Sequence, residues 1–182
     1  MGKYRCGKCN FNCNQYRYIQ KHREKCVFFK ELDPLVPQNL NFLKNDNRKN
    51  LLFIGANFML EINNYVSEYK NGLFIEGIPY VCKQLQINLD KTKKYNTNYK
   101  AINSLITNKV NEEYEFNIFN NDAGSSSIFK PNMKNWEWDR VRIKDNIILK
   151  SNTIENILKD ELWENIKFDV ILDVQGAELL VL

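Results

Sequence analysis

Histidine occurs only once in this 182-residue chain, and long apolar runs do not occur at all. No stretch approaches the roughly 18 consecutive apolar residues of a membrane-spanning helix. The opening residues, MGKYRCGKC, have no apolar core of a signal peptide. The sequence therefore predicts no membrane partner, and we expect a soluble, cytoplasmic protein.

What the chain does contain is unevenly distributed. Apolar residues make up 43% of the sequence, which is enough for a packed core, and the length allows one ordinary domain with a small appendage. Residues 1–31 carry eight Lys or Arg against two Glu, a net charge of +6, whereas the whole chain is +4. The remainder is therefore at −2, and any attraction to polyanions belongs to the N-terminal segment.

Four of the five cysteines and the only histidine lie in the first 26 residues. Their spacing, Cys6-x2-Cys9-x12-His22-x3-Cys26, resembles that of a ββα zinc finger of the C2HC type over residues 4–26. His22 and Cys26 are four residues apart, so they share one face of a helix. Disulfides in a secreted protein are the alternative, and the absent leader and the histidine argue against them. Because four protein ligands leave no open position, the Zn²⁺ would be structural.

The finger leaves two questions open. Cys13 stands where such fingers usually place a core Phe, so it is either a small core residue or a competing ligand. The resemblance to DNA-reading fingers would place Gln15, Tyr18 and Lys21 at base-facing positions. A single finger buries too little surface for strong specific binding, so weak nucleic-acid contact and protein contact both remain hypotheses.

The remaining pattern alternates strands with helices, which predicts an α/β fold with a mainly parallel sheet. We divide the chain into a finger at 1–27, a linker at 28–49 broken by Pro34 and Pro37, and a domain at 50–182. Strands are expected at 51–54, 73–75, 101–106, 115–121, 141–149 and 170–172. Helices are expected at 58–70, 79–89 and 153–163.

Two strand ends carry groups suited to a nucleotide. Gly55 allows close backbone approach after the first strand, and Glu76 follows it by roughly 20 residues, the spacing at which an acid meets a ribose hydroxyl. An ordinary turn and a helix-capping acid are the alternative interpretation. The last predicted strand similarly ends at Asp173, before Gln175 and Gly176 break the strand pattern.

With this last motif included, the chain resembles the FkbM family of S-adenosylmethionine-dependent methyltransferases over residues 50–182. The matching segments are FIGANFMLEINNYV (53–66), GLFIEGIPYVCKQLQINL (72–89), EFNIFNNDAGSSSIFKP (115–131) and FDVILDVQGAELLVL (168–182). The resemblance implies a Rossmann-like methyltransferase sheet, incomplete at its C-terminal end, that follows the zinc finger. It also implies methylation of a sugar or other small hydroxylated acceptor.

The family likeness assigns cofactor roles to several residues. Gly55 and Asn57 would form the turn under the methionine part of S-adenosylmethionine, and Glu76 would hold its ribose hydroxyls. Asp173 and Gln175 would complete the cofactor site at the last strand. Ser125, Ser126 and Ser127 would lie near the acceptor or the cofactor edge; a plain loop is the alternative.

Asp173 and Glu178 are the catalytic candidates. Because zinc would occupy His22, a base for a hydroxyl acceptor must be one of these carboxylates, a Tyr, a Lys or a group beyond Leu182. In-line positioning does most of the work in methyl transfer, so a weak base suffices.

The chain also departs from the family pattern, which usually has Asp at the position of Phe53 and Gly at that of Met59. Both departures predict weakened cofactor binding. The sequence stops soon after the last motif, which predicts a marginally stable chain or a fragment of a longer or split protein. The alternative function is therefore an inactive methyltransferase-like protein that binds nucleic acid or protein through its finger. A third option is an interaction surface around Trp136 and Trp138, although core packing suits these side chains better.

Overall fold

A computed structural model of the chain describes residues 46–130 and 141–182, together with the backbone of two short strands near the N-terminus. The chain divides into two compact units, residues 1–40 and residues 41–182. In the first unit, β1 (Tyr4–Arg5) pairs antiparallel with β2 (Asn12–Cys13). The four proposed zinc ligands lie outside the described residues, as do the linker up to residue 45 and the two tryptophans at 136 and 138.

In the second unit, seven strands are described. They are β3 (Lys49–Ile54), β4 (Tyr69–Glu76), β5 (Asn98–Asn103), β6 (Leu105–Ile106), β7 (Glu113–Phe119), β8 (Ile143–Asn152) and β9 (Asp169–Leu172). The central sheet has the order β5-β4-β3-β9, and all three of its strand pairs are parallel. The predicted parallel α/β sheet is therefore confirmed.

Two predicted strands do not join this sheet. β7 and β8 instead form an antiparallel pair, and β6 pairs parallel with β8 in a separate three-stranded sheet. Residues 116–119 of β7 are all buried, whereas Glu113 and Glu115 are exposed, so the second half of this strand is covered on both faces. The alternating pattern identifies the strand but not its partner.

Three α-helices are described: α1 (Pro79–Asp90), α2 (Ile154–Asp160) and α3 (Glu178–Val181). α1 begins with Pro79 in its first turn. Proline is tolerated at this position because the N–H that it lacks would have no partner within the helix. The Thr153 side chain caps α2 by accepting the N–H of Asn156 at 3.3 Å. None of the described helices is long and apolar enough to cross a bilayer.

The helix expected at 58–70 does not form. A single 3-10 turn (Ile62–Asn64) lies between β3 and β4, surrounded by irregular turns. Asn57 and Met59 both adopt a φ of 46°, in the left-handed region that no right-handed helix contains. The helical spacing of Met59, Ile62 and Val66 therefore does not produce a helix. The connection from β3 to β4 is a loop that packs Ile62 and Val66 into the core.

One face of the central sheet packs against the two C-terminal helices. Leu52, Ile54, Leu73 and Ile75 form a buried cluster with Ile157 of α2 and Val181 of α3. The start of α1 packs instead on the antiparallel pair of β7 and β8, where Ile78 and Val81 contact Phe116 and Ile118. These two clusters hold the carboxyl ends of β3, β4 and β9 beside the β7–β8 hairpin.

Candidate functional site

The centre of the sheet is a topological switch point. β3 has β4 on one side and β9 on the other, so the chain leaves β3 in one direction and returns on the opposite side. Open α/β sheets bind ligands in the crevice outside the carboxyl ends of such strands. Here the crevice is closed underneath by hydrogen bonds from the Asp173 N–H to the Ile54 carbonyl (2.9 Å) and from the Gly55 N–H to the Ile75 carbonyl (2.9 Å).

Position 55 requires a glycine, because the backbone of Asp173 lies directly against it. Its φ is +83°, and a Cβ placed there would lie 2.0 Å from the Asp173 carbonyl oxygen. No side chain fits that distance, so the β3 and β9 turns are in direct backbone contact. The sequence predicts close approach to a ligand at Gly55; the structure shows that Asp173 already makes one such approach.

A cavity of about 680 Å³, including its open mouth, lies over this junction. Its lining includes all five residues that the sequence predicts to bind the cofactor: Gly55, Asn57, Glu76, Asp173 and Gln175. Residues from the opposite wall were not predicted from the sequence, and they are Ser104, Leu105, Phe116, Ala123 and Ile128. The antiparallel pairing of β7 with β8 brings that wall over the strand ends, and the sequence pattern does not predict this pairing.

Glu76 is the most unusual group in this cavity. Its side chain is 7% exposed. One carboxylate oxygen accepts the Asn57 N–H at 3.0 Å, and the other accepts the Ile78 N–H at 2.8 Å. Burial raises the pKa of Glu76 above its usual range, and the backbone N–H bonds offset this only in part. No Lys or Arg of the described residues forms an ion pair with it.

Asn57 connects Glu76 to the opposite wall. Its N–H binds the Glu76 carboxylate, and its own side-chain oxygen accepts the Phe58 N–H at 2.8 Å. Its Nδ2 donates to the Asp122 carbonyl at 3.4 Å. Asn tolerates the φ of 46° better than most residues. Asn57 thus holds the turn after β3 against the loop after β7.

The end of β9 forms the third wall. Gln175 Nε2 donates to Asp173 Oδ1 at 2.7 Å, and the Asp173 side chain is exposed. Glu178 Oε1 accepts the N–H groups of Val174 at 3.3 Å and Gly176 at 3.2 Å. The N–H of Glu178 itself, followed by those of Gly176 and Val174, lowers the pKa of its carboxyl. Of the two catalytic candidates, Asp173 lines the cavity, whereas Glu178 is absent from the lining.

The three serines have different environments. Ser126 lines the cavity, and its Oγ accepts the Phe119 N–H at 3.1 Å. Ser127 Oγ accepts the Phe129 N–H at 3.1 Å, and Ser125 Oγ accepts Asn121 Nδ2 at 2.8 Å. Each hydroxyl therefore braces the loop, and only Ser126 is placed to meet a ligand as well.

The two departures from the family pattern differ in their consequences. Phe53 is buried and stacks on Phe74 with ring centroids 6.1 Å apart, and it is not among the cavity-lining residues. Met59 adopts a φ of 46°, where glycine is favoured. The structure thus gives Phe53 a packing role and Met59 a strained backbone beside the site.

The cavity is unsuited to a phosphate group. No Lys or Arg of residues 46–130 and 141–182 lines it. Nor does an α-helix follow β3 within residues 55–68, so this turn offers no helix N-terminus of the kind that holds a dinucleotide pyrophosphate. Carboxylates at Glu76 and Asp173 would repel anions and accept hydroxyl or ammonium donors. The lining therefore favours a neutral or cationic ligand that donates hydrogen bonds.

Metal ligation is not a property of this cavity. Among residues 46–130 and 141–182, no three His, Cys, Asp or Glu side chains form a group that could hold a metal ion. Cys82, the free thiol in α1, is buried, and burial raises its pKa to about 11. The predicted zinc site at the N-terminus lies outside the described residues and stays a prediction.

Comparisons with known proteins find no match: no protein family, curated protein or solved structure matches the chain. The family resemblance drawn from the four sequence motifs therefore stays a prediction.

Proposed function

We propose that the second unit binds S-adenosylmethionine in the switch-point cavity and transfers its methyl group to a hydroxyl of a sugar or other small acceptor. The observation that carries this proposal is the buried carboxylate of Glu76, at the carboxyl end of β4 and without a basic partner in the described residues. When bound, the cofactor supplies a methyl group on a positively charged sulfur. An acidic, phosphate-excluding cavity suits such a ligand.

Each wall of the cavity has a part in this function. Glu76 would accept ribose hydroxyls, because it lines the cavity and a carboxylate has more lone pairs than the N–H groups of Asn57 and Ile78 use. Gly55 and Asn57 would leave room for the methionine part above the β3 turn. Asp173 would face the acceptor, where its exposed carboxylate is able to take the hydroxyl proton as the methyl group is transferred.

The test is calorimetry with S-adenosylhomocysteine on the zinc-loaded full chain. The wild type should bind, and Glu76→Gln should weaken binding roughly 10-fold, because a charged acceptor is replaced by an amide that retains only one oxygen. Glu61→Gln is the matched control, since Glu61 is exposed and makes no capping bond. A folded wild type that gives no heat at high ligand concentration would contradict the proposal.

A second reading of the chain concerns its first unit. We propose a structural Zn²⁺ at Cys6, Cys9, His22 and Cys26, and weak nucleic-acid binding through the basic N-terminal segment, whose first 31 residues have a net charge of +6. Filter binding over a salt series tests this, since affinity should fall as salt rises and should be lost in Cys9→Ser. Binding that ignores salt, or that survives this substitution, speaks against it.

A further inference from the structure

The turn between β9 and α3, residues 173–177, has an unusual backbone. Gln175 has a φ of 53° and Gly176 a φ of 95°, so two left-handed residues follow each other. Two consecutive left-handed residues are the central pair of a type I′ β-turn, and the Ala177 N–H closes this turn by donating to the Val174 carbonyl at 3.3 Å. In this chain the N–H groups of Val174 and Gly176 converge on a single oxygen, Glu178 Oε1. The Glu178 carboxylate thus caps the turn that precedes it.

The same turn fixes two groups at the cavity. The Asp173 carbonyl oxygen contacts Gly55, where a Cβ would come within 2.0 Å. The Asp173 N–H binds the Ile54 carbonyl, and Gln175 Nε2 binds the Asp173 side chain at 2.7 Å. Any relaxation of the turn would therefore move both the Asp173 carboxylate and the floor beside Gly55. Glu178 reaches the cavity only through this backbone.

We propose that Glu178 is a positioning residue: its carboxylate holds the 173–177 turn in the shape that presents Asp173 to the cavity, and it does not act as the base. This rests on the proposed function for its effect on binding, but the hydrogen bonds that carry it do not. One Glu178 oxygen already accepts two N–H groups, and the residue does not line the cavity. Its role as a proton acceptor is correspondingly disfavoured.

Two substitutions separate positioning from base catalysis. Glu178→Gln keeps a side-chain oxygen that accepts the Val174 and Gly176 N–H groups but has no basic carboxylate. Glu178→Ala removes the acceptor. With the zinc-loaded full chain, S-adenosylhomocysteine should bind roughly 10-fold more weakly to Glu178→Ala and within about 3-fold of wild type to Glu178→Gln. Glu164→Ala, an exposed glutamate that precedes β9, should leave binding unchanged.

Amide hydrogen exchange supplies a readout that needs no ligand. In Glu178→Ala the Val174 and Gly176 amides should exchange at least about 10-fold faster than in wild type, with Glu178→Gln in between. If they do so while the wild type binds no S-adenosylhomocysteine, the positioning role stands and the proposed function fails. Unchanged exchange in Glu178→Ala would overturn the positioning role.

Two binding results would also overturn it. Equal losses in Glu178→Gln and Glu178→Ala would mean that the charge of Glu178 acts on the ligand through space. Full binding by Glu178→Gln with loss of methyl transfer to an accepting sugar would make Glu178 the base. Retained transfer in Glu178→Gln supports positioning.

Discussion

The two edges of the parallel sheet use charged residues in opposite ways. At the amino edge, Arg48 is nearly buried and donates to both oxygens of Asp46, at 2.8 and 3.1 Å, while Lys70 binds Asp46 at 2.9 Å. These bonds hold the pKa of Asp46 well below its usual range. At the carboxyl edge, Glu76 is as deeply buried but has no cation among the described residues, and its pKa is raised.

This difference teaches where stability and function are separated in the fold. Charges at the amino edge are neutralised by partners from neighbouring strands, and Lys49 likewise bridges β3 to Asp169 of β9 at 2.9 Å. At the carboxyl edge, Glu76 and Asp173 are held by N–H groups of the backbone and of Gln175 instead of by cations of the described residues. Three left-handed non-glycine residues line the cavity: Asn57, Ala123 and Gln175.

The largest effect is expected from removing the buried cation of the amino edge. Arg48 also donates to the carbonyls of Val66 (2.9 Å) and Tyr95 (3.1 Å), so Arg48→Ala removes this donor from both carbonyls and leaves Asp46 with only Lys70 of its two cationic partners. We expect the free energy of unfolding to fall by about 3–5 kcal/mol. Urea unfolding measures it. Lys93→Ala, which breaks an exposed pair with Asp90, should cost less than about 0.5 kcal/mol. Similar losses in both variants would erase the contrast between buried and exposed charges.

At the carboxyl edge, the backbone contact at Gly55 should matter nearly as much. Gly55→Ala places a methyl group against the Asp173 carbonyl and should lower the free energy of unfolding by about 3 kcal/mol. Gly77→Ala is its control, because Gly77 also lines the cavity but its Cβ would meet nothing closer than 3.5 Å. Thermal unfolding compares them. A tolerated Gly55→Ala would show that the β3 and β9 turns are not in contact.

The raised pKa of Glu76 gives a pH dependence with a defined sign. The folded state binds the proton more tightly than the unfolded state, so Glu76 contributes most to stability below its ordinary pKa of 4.5, and this contribution is lost as pH rises through the higher folded value. The unfolding free energy of wild type minus that of Glu76→Gln should therefore fall over that window, by about 1.4 kcal/mol per unit of the shift. A flat or rising difference in urea titrations would contradict it.

The smallest effect concerns Met59. Its φ of 46° costs a side-chain-bearing residue roughly 1 kcal/mol, which glycine avoids. Because glycine also makes the unfolded chain more flexible, Met59→Gly should stabilise by only about 0.5 kcal/mol. Leu60→Gly, at the exposed neighbouring residue, has no such strain to relieve and should destabilise slightly. If both variants lose stability equally, the turn after β3 is not strained.

Periodicity located the central strands and α1, because buried parallel strands and amphipathic helices each have a repeat that the sequence carries. The bounds of α1 were correct to one residue, whereas β4 and β5 begin four and three residues before their predicted starts. It failed at 58–70, where Met59, Ile62 and Val66 have helical spacing but Asn57 and Met59 take left-handed backbone angles. It also failed to pair β7 with β8. Pairing partners depend on contacts between distant segments, which local patterns do not encode.

The candidate site shows the same division. A glycine or an acid at a strand end stands out locally, which selected Gly55, Glu76 and Asp173, and the family resemblance added Asn57 and Gln175. Only the tertiary structure decided that these residues share one cavity, and that the hairpin supplies its opposite wall. Only the tertiary structure shows that the Glu178 carboxylate accepts backbone N–H groups of the turn that precedes it. A residue type indicates the chemistry that it can perform, whereas the distances to its neighbours decide whether that chemistry is directed at a ligand or used to hold the chain.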